Sequence, residues 1–173
     1  MSILSYNYAM IRYFCLALIL VPTLVAQTAT TRPTFEDFAV KQIFRGTPAP
    51  PKLNKDQRTF RTVIRTGAKT AVEFAGHYTI PRFGCGAGCN GFYIVDSVNG
   101  RVFDGFGIAD LPGAWLDKQA GDPPARIDFH QNSRLLKING CPNEKNCGFY
   151  DYLMVDGKGL KLVSKQLLPK EYQ

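Results

Sequence analysis

Hydrophobic positions change their spacing along this chain, and each change marks a different element. From Phe14 to Val25 they form an apolar run containing one proline. Between Asn54 and Thr66 they recur as Phe60, Val63 and Ile64, the i, i+3, i+4 spacing of one helix face. From Phe74 onward they fall in short stretches rich in β-branched and aromatic residues: HYTIPRF, FYIVD, RVFDGF, RIDFH, RLLKI, YDYLMVD and LKLVSKQLL. Turn-forming residues separate these stretches, so each reads as a strand.

The helix expected over 54–66 has a start and a stop. Asn54 or Asp56 can cap its first turn, and Gly67 ends it. Arg58, Arg61 and Arg65 lie opposite the apolar stripe, and Lys69 extends their line. The helix is therefore amphipathic, with one cationic face. Residues 35–45 carry apolar side chains without a decisive period and fit either a strand or an irregular packed segment. Residues 46–51 (GTPAPP) form a loop, because proline donates no ladder hydrogen bond and holds its predecessor extended.

Among the strands, Val98-Asn99-Gly100 and residues 156–159 (DGKG) signal hairpins, since Asn and Gly tolerate positive φ. Pro81 keeps its strand away from a central ladder position. Residues 84–104 and 140–163 share an order: Gly-Cys, a short loop, Cys, Gly-Phe-Tyr, a strand ending in Val-Asp, a glycine turn and another strand. This order predicts two copies of one meander-like unit, about 74–106 and 126–164. The expected fold is mainly β, with antiparallel meander, sandwich or propeller-like sheets and one N-terminal amphipathic helix.

The first apolar run spans about 12 residues, against the roughly 20 that a membrane span needs. Arg12 precedes it and small residues follow at Ala26 to Thr28, the layout of a signal peptide over residues 1–26. Met10 is an alternative start. Residues 27–34 then read as a flexible lead and 35–173 as one domain. No transmembrane span is expected after cleavage. The net charge of +7 falls to +6, because Arg12 is the only charged side chain lost. Cys15 leaves with the leader, so four of the five cysteines remain: Cys85, Cys89, Cys141 and Cys147. An even count in an exported chain reads as disulfides. Three pairings exist. Hairpin geometry favours Cys85–Cys89 and Cys141–Cys147, because opposed strand residues lie within disulfide reach; loop entropy favours the longer closures. The spacings between the paired cysteines differ from the commonest zinc pattern, and neither metal nor cofactor is expected.

The segments FAGHYTI (74–80), GCGAGCNGFYIVD (84–96) and SRLLKINGC (133–141) followed by CGFY resemble a group of small exported bacterial proteins with no assigned activity. The resemblance covers roughly residues 55 to 163 and implies export and a β fold. The chain departs from the group's pattern at Arg82-Phe83, where an aromatic such as Trp is expected beside the glycine.

His77 is the most suggestive residue for catalysis, with Asp96, Asp104, Asp110 and Ser97 as candidate partners; a general base needs such an orienting acid and a nucleophile. A packed histidine bonded to a carbonyl is the competing role. Asp128 and His130 would share a strand face with Arg126. The glycines around Cys85 lack the Lys-Ser/Thr of a phosphate loop. Trp115, in LPGAWLD, suits either a binding anchor or a cover for the core edge. Arg58, Arg61 and Arg65 suit an acidic partner or an anionic polymer, and Tyr78 adjoins His77. The sequence thus points to a periplasmic or secreted, non-enzymatic binding or inhibitor module. Its expected partner is an envelope protein or an anionic envelope polymer, and nucleic acid is not expected. The alternative is a small envelope hydrolase using His77 with an aspartate.

Overall fold

The alternation seen after Phe74 becomes sheet wherever it can bury one face. The computed structural model describes residues 31–173; the expected leader, with Met10 and Cys15, lies outside the described residues. A 3-10 turn at Asp56–Phe60 runs into α1 (Arg61–Gly67). The strands are β1 (Tyr78–Thr79), β2 (Arg82–Gly86), β3 (Cys89–Asp96), β4 (Val102–Asp104), β5 (Ile108–Ala109), β6 (Ile127–Phe129), β7 (Leu135–Pro142), β8 (Gly148–Val155) and β9 (Gly159–Leu167). A short helix, α2 (Gly113–Leu116), lies between β5 and β6. The described chain is mainly β, in one antiparallel sheet of 9 strands ordered β1-β3-β5-β7-β8-β9, with β2 and β4 also on β3 and β6 on β7.

Two meanders, β2-β3-β4 and β7-β8-β9, each carry a disulfide at the first hairpin. Cys85 pairs with Cys89 (Cα–Cα 5.1 Å) and Cys141 with Cys147 (4.0 Å), as hairpin geometry favours. Cys85 sits at an irregularity in the β2–β3 register, between the pairs Gly84↔Asn90 and Gly86↔Cys89, so the first bridge is not between directly opposed residues. Pro81 falls at the break between β1 and β2, where the ladder needs no donor from it.

β5 joins the meanders. Its Ala109 pairs with Cys89 on one side and Cys141 on the other, forming one cross-strand row. Gly140 permits this approach: a Cβ there would lie 2.4 Å from the Ala109 carbonyl oxygen. Phe92 and Ile94 of β3, Leu136 and Ile138 of β7, and Tyr150 and Met154 of β8 share one buried core. Each such side chain contributes about 1.5–3 kcal/mol on burial, whereas closing either short disulfide loop contributes only about 2 kcal/mol. The core therefore carries the stability, and the bridges hold hairpin register.

β3 is covered on its other face as well. Val95 packs with Ile64 and Ala68, and the Phe60 ring lies 4.4 Å from Phe83 and 5.6 Å from Tyr93. The helix start is a reciprocal cap: the Gln57 N–H donates to Asn54 Oδ1 at 2.9 Å, and the Asn54 N–H donates to Gln57 Oε1 at 3.0 Å. The helix expected over 54–66 differs in its opening turn, which is 3-10. Residues 35–45 resolve into a 3-10 turn at Glu36–Phe38 and a bridge from Ala39 to Ser133.

A flexible lead does not extend through Arg32. Asp151 is fully buried, and Arg32 donates to it through Nε (3.0 Å) and Nη2 (2.5 Å). Lys137 adds a second cation at 3.7 Å. A lone carboxylate is costly away from water, so the chain before the domain is tied down by charge.

Replacing Arg32 by Ala is expected to destabilise the fold by about 3 kcal/mol, the lower end for breaking a buried pair, since Lys137 remains; urea unfolding measures this. Replacing Cys85 and Cys89 by Ser should cost about 2 kcal/mol. The same change at Cys141 and Cys147 should cost more, because those sulfurs also pack against Leu111 and Leu168.

Candidate functional site

The hydrophobic pattern that positions β3 also fixes the two ends of the candidate chemistry. At its C-terminal end the hairpin turn after Asp96 packs beside His77. His77 Nε2 lies 3.9 Å from Asp96 Oδ2 and 3.9 Å from Asp156 Oδ1, ion-pair distances rather than hydrogen bonds. Asp96 is already engaged: it accepts from the Val98 N–H at 2.8 Å and from Asn99 Nδ2 at 2.6 Å, which holds the turn. Ser97 is buried, its hydroxyl has no partner among the described residues, and its N–H donates to the His77 carbonyl at 2.8 Å. Among the described residues, His77 makes no side-chain hydrogen bond to an orienting acid.

The other acids proposed for His77 are committed elsewhere. Asp104 accepts from Gln57 Nε2 at 2.8 Å, and Asp110 pairs with Arg126. His130 is exposed, with Phe35 stacked on its ring at 3.8 Å. The structure instead brings Asp156 to this corner, from the β8–β9 turn. It accepts the Tyr78 hydroxyl at 3.0 Å, and the His77 ring lies 4.1 Å from the Tyr78 ring. Only tertiary folding joins residues this far apart in the chain, so no local pattern announces Asp156. No group of three or more His, Cys, Asp or Glu among the described residues is arranged to hold a metal ion.

The second site is cationic. The four basic side chains predicted on the helix, Arg58, Arg61, Arg65 and Lys69, are all exposed. None lies within ion-pair distance of a carboxylate among the described residues. Arg61 and Arg65 neighbour at i, i+4 on α1, a like-charge pair costing about 0.2–0.5 kcal/mol; Arg58 precedes the helix in the 3-10 turn and Lys69 follows its end. Beside them runs a groove of about 460 Å³ whose apolar wall is Pro48 to Pro51 and whose other side carries Arg65 and Lys69. The loop is held in place by hydrogen bonds from the Ala49 N–H to the Ser97 carbonyl (2.9 Å) and from the Lys52 N–H to the Gly100 carbonyl (2.7 Å). Gly100 has φ 75°, and a Cβ there would meet the Pro50 carbonyl oxygen at 2.1 Å, so the turn needs glycine for both conformation and space. A neighbouring hollow shares Pro48 and Lys69 and adds Arg45. The prolines are plain in the sequence as a loop; that they wall a groove against the helix is not.

Trp115 sits in α2 with its ring edge-on to Phe149 at 5.5 Å, covering the cluster of Leu111, Cys141, Cys147 and Leu168. Comparison with known proteins finds no matching family model, no matching curated protein and no matching solved structure.

The His77 corner has a pH signature. Burial first, and then the Asp156 carboxylate, push the Tyr78 hydroxyl far above the ordinary tyrosine range. Burial does the same, to a lesser degree, for Tyr93, Tyr150 and Tyr152. An unfolded tyrosine ionises near pH 10, so above about pH 10 the native state holds more protons than the unfolded one. Stability from these rings is complete below that pH and falls as pH rises further. Tyr78→Phe should cost about 1 kcal/mol at neutral pH by loss of the hydrogen bond and should flatten the alkaline fall, both read from urea unfolding across the alkaline range.

Proposed function

We propose that the chain is a periplasmic or secreted binding module, non-enzymatic, that docks an acidic segment of a cell-envelope protein on the α1 face and the proline-walled groove. The observation that carries this is the row Arg58, Arg61, Arg65 and Lys69, exposed and without acidic partners among the described residues. Fold stability does not account for such a row. Arg65 and Lys69 gain from the helix C-terminus, by about 0.3–1 kcal/mol each, but Arg58 and Arg61 stand nearer the opposite end and repel their neighbours. The apolar wall favours a polypeptide that alternates acidic and apolar side chains over a uniformly charged polymer, which would leave Pro48 to Pro51 uncovered.

Export is supported by two disulfides, which suit an oxidising environment, by the leader-like first 26 residues, and by the resemblance to small exported bacterial proteins. No helix among the described residues is long and apolar enough to cross a membrane. The matching order of the two meanders supports descent from one duplicated unit.

Affinity capture from an envelope extract tests the docking face. The protein should retain an acidic partner that raised salt releases, because exposed charges are screened. Arg61→Glu with Arg65→Glu should lose that partner while the melting temperature holds or rises. Equal capture by the double variant sinks the proposal. Retention of an anionic polysaccharide in place of a protein overturns the choice of polypeptide.

A further inference from the structure

A second face, away from the cationic helix residues, carries a cleft of its own. We infer that the cleft between the α2–β6 connection and the sheet binds a saccharide. Two hollows of about 420 Å³ and about 330 Å³ share a wall of Leu116, Pro123 and Pro124. Sites for small ligands are commonly roughly 300–1,000 Å³, mostly apolar, with a few fixed polar groups.

Here the polar end is built from four separate segments. Arg126, just before β6, donates through Nε to Asp110 Oδ1 at 2.8 Å, through Nη2 to the same oxygen, and through Nη1 to Asn90 Oδ1. Asn139 of β7 holds the wall in place: its N–H donates to the Arg126 carbonyl at 2.9 Å and its Nδ2 to the Ala125 carbonyl at 2.6 Å. Asn90 follows Cys89, Asp110 follows β5, and Asn139 precedes Cys141. The disulfide-braced row thus sets the spacing of the polar groups.

The network leaves two atoms unused. Asp110 Oδ2, an acceptor, and Asn90 Nδ2, a donor, make no hydrogen bond among the described residues. A hydroxyl both donates and accepts, so it satisfies such a pair, and a polyol can do so with adjacent hydroxyls. Charge excludes the ligand class of the helix face. Arg126 is neutralised by Asp110, while Asp117 and Asp122 stand at the adjoining hollow and repel anions. Trp115, the one tryptophan of the chain, lines that hollow beside the proline wall. A flat aromatic and apolar wall next to fixed polar groups suits the C–H faces and hydroxyls of a neutral sugar.

The single tryptophan makes the test direct. The disulfide-bonded protein is titrated separately with cellotriose, maltotriose, tri-N-acetylchitotriose and trialanine, following Trp115 fluorescence and amide NMR shifts. At least one trisaccharide should shift the Trp115 emission and move the amides of Asn90, Asp110 and Trp115. Asp110→Asn and Asn90→Ala should each weaken binding at least tenfold with the melting temperature preserved. If Asn90→Ala lowers the melting temperature, Trp115→Phe, read by NMR, should weaken binding at least threefold. Unchanged signals for all three sugars up to their solubility limits overturn the inference. So do shifts confined to α1, unaltered affinity in the variants, or trialanine matching the best sugar at the same residues. The α1 face is tested separately, with a different ligand and different variants.

Discussion

Among the described residues the sheet is continuous only through β5, by the rows Cys89–Ala109–Cys141 and Asn90–Ile108–Pro142. β5 has two residues, yet among the described residues it is the sole strand hydrogen-bonded to both β3 and β7. A strand that short cannot hold two meanders by its own ladder, because few hydrogen bonds offset the entropy of ordering it. Its neighbours must arrive already in register. The disulfides do this locally: one closes the β2–β3 hairpin at Cys89, and the other closes the β7–β8 hairpin at Cys141. Ile108 then goes into the shared core, and Gly140 lets the backbones meet.

Buried polar groups repeat this logic with charge. Asp151 sits at the centre of β8 with no exposure, where an apolar residue would serve the core better. Its carboxylate is instead matched by Arg32 from before the domain and Lys137 from β7. Such a pair contributes little net stability against a hydrophobic replacement. It does favour one place for the chain before Phe35, where Arg32 adds two hydrogen bonds that Lys137 does not supply. Asp96 plays the corresponding part at a turn, accepting from Val98 and Asn99 so that the β3–β4 hairpin ends beside His77.

What the sequence discloses and what it withholds divide along the range of the interactions. The cap at Asn54, the stop at Gly67, the strand stretches after Phe74 and the close cysteine pairs depend on neighbours within a few residues, and local patterns reveal them. Ile108 and Ala109 carry no such pattern, because a strand of two residues shows no alternation. Arg32 read as part of a polar lead because its partner is 119 residues away. The cationic helix face was legible as a stripe; the proline wall that makes it a groove was not. The cleft polar residues lie far apart in sequence, and Asp110 and Arg126 look like ordinary loop charges until the sheet folds.

The treatment of positive charge separates the two surfaces. Arg32, Arg126 and Lys137 are each placed against a carboxylate, so their charge is spent inside the fold. Arg58, Arg61, Arg65 and Lys69 are exposed, and none lies within ion-pair distance of a carboxylate among the described residues. Coulomb repulsion between them persists in the folded chain and weakens only with salt or with an external anion. The fold satisfies cations elsewhere with Asp151 of β8 and with Asp110, the residue after β5. A ligand that supplies acid to α1 relieves repulsion that the free protein carries. A ligand of the Arg126 cleft meets a neutralised network and must bind through hydroxyl geometry and apolar contact. The two proposed ligands therefore differ in chemistry: one brings acid to α1, and the other brings no charge to the Arg126 cleft.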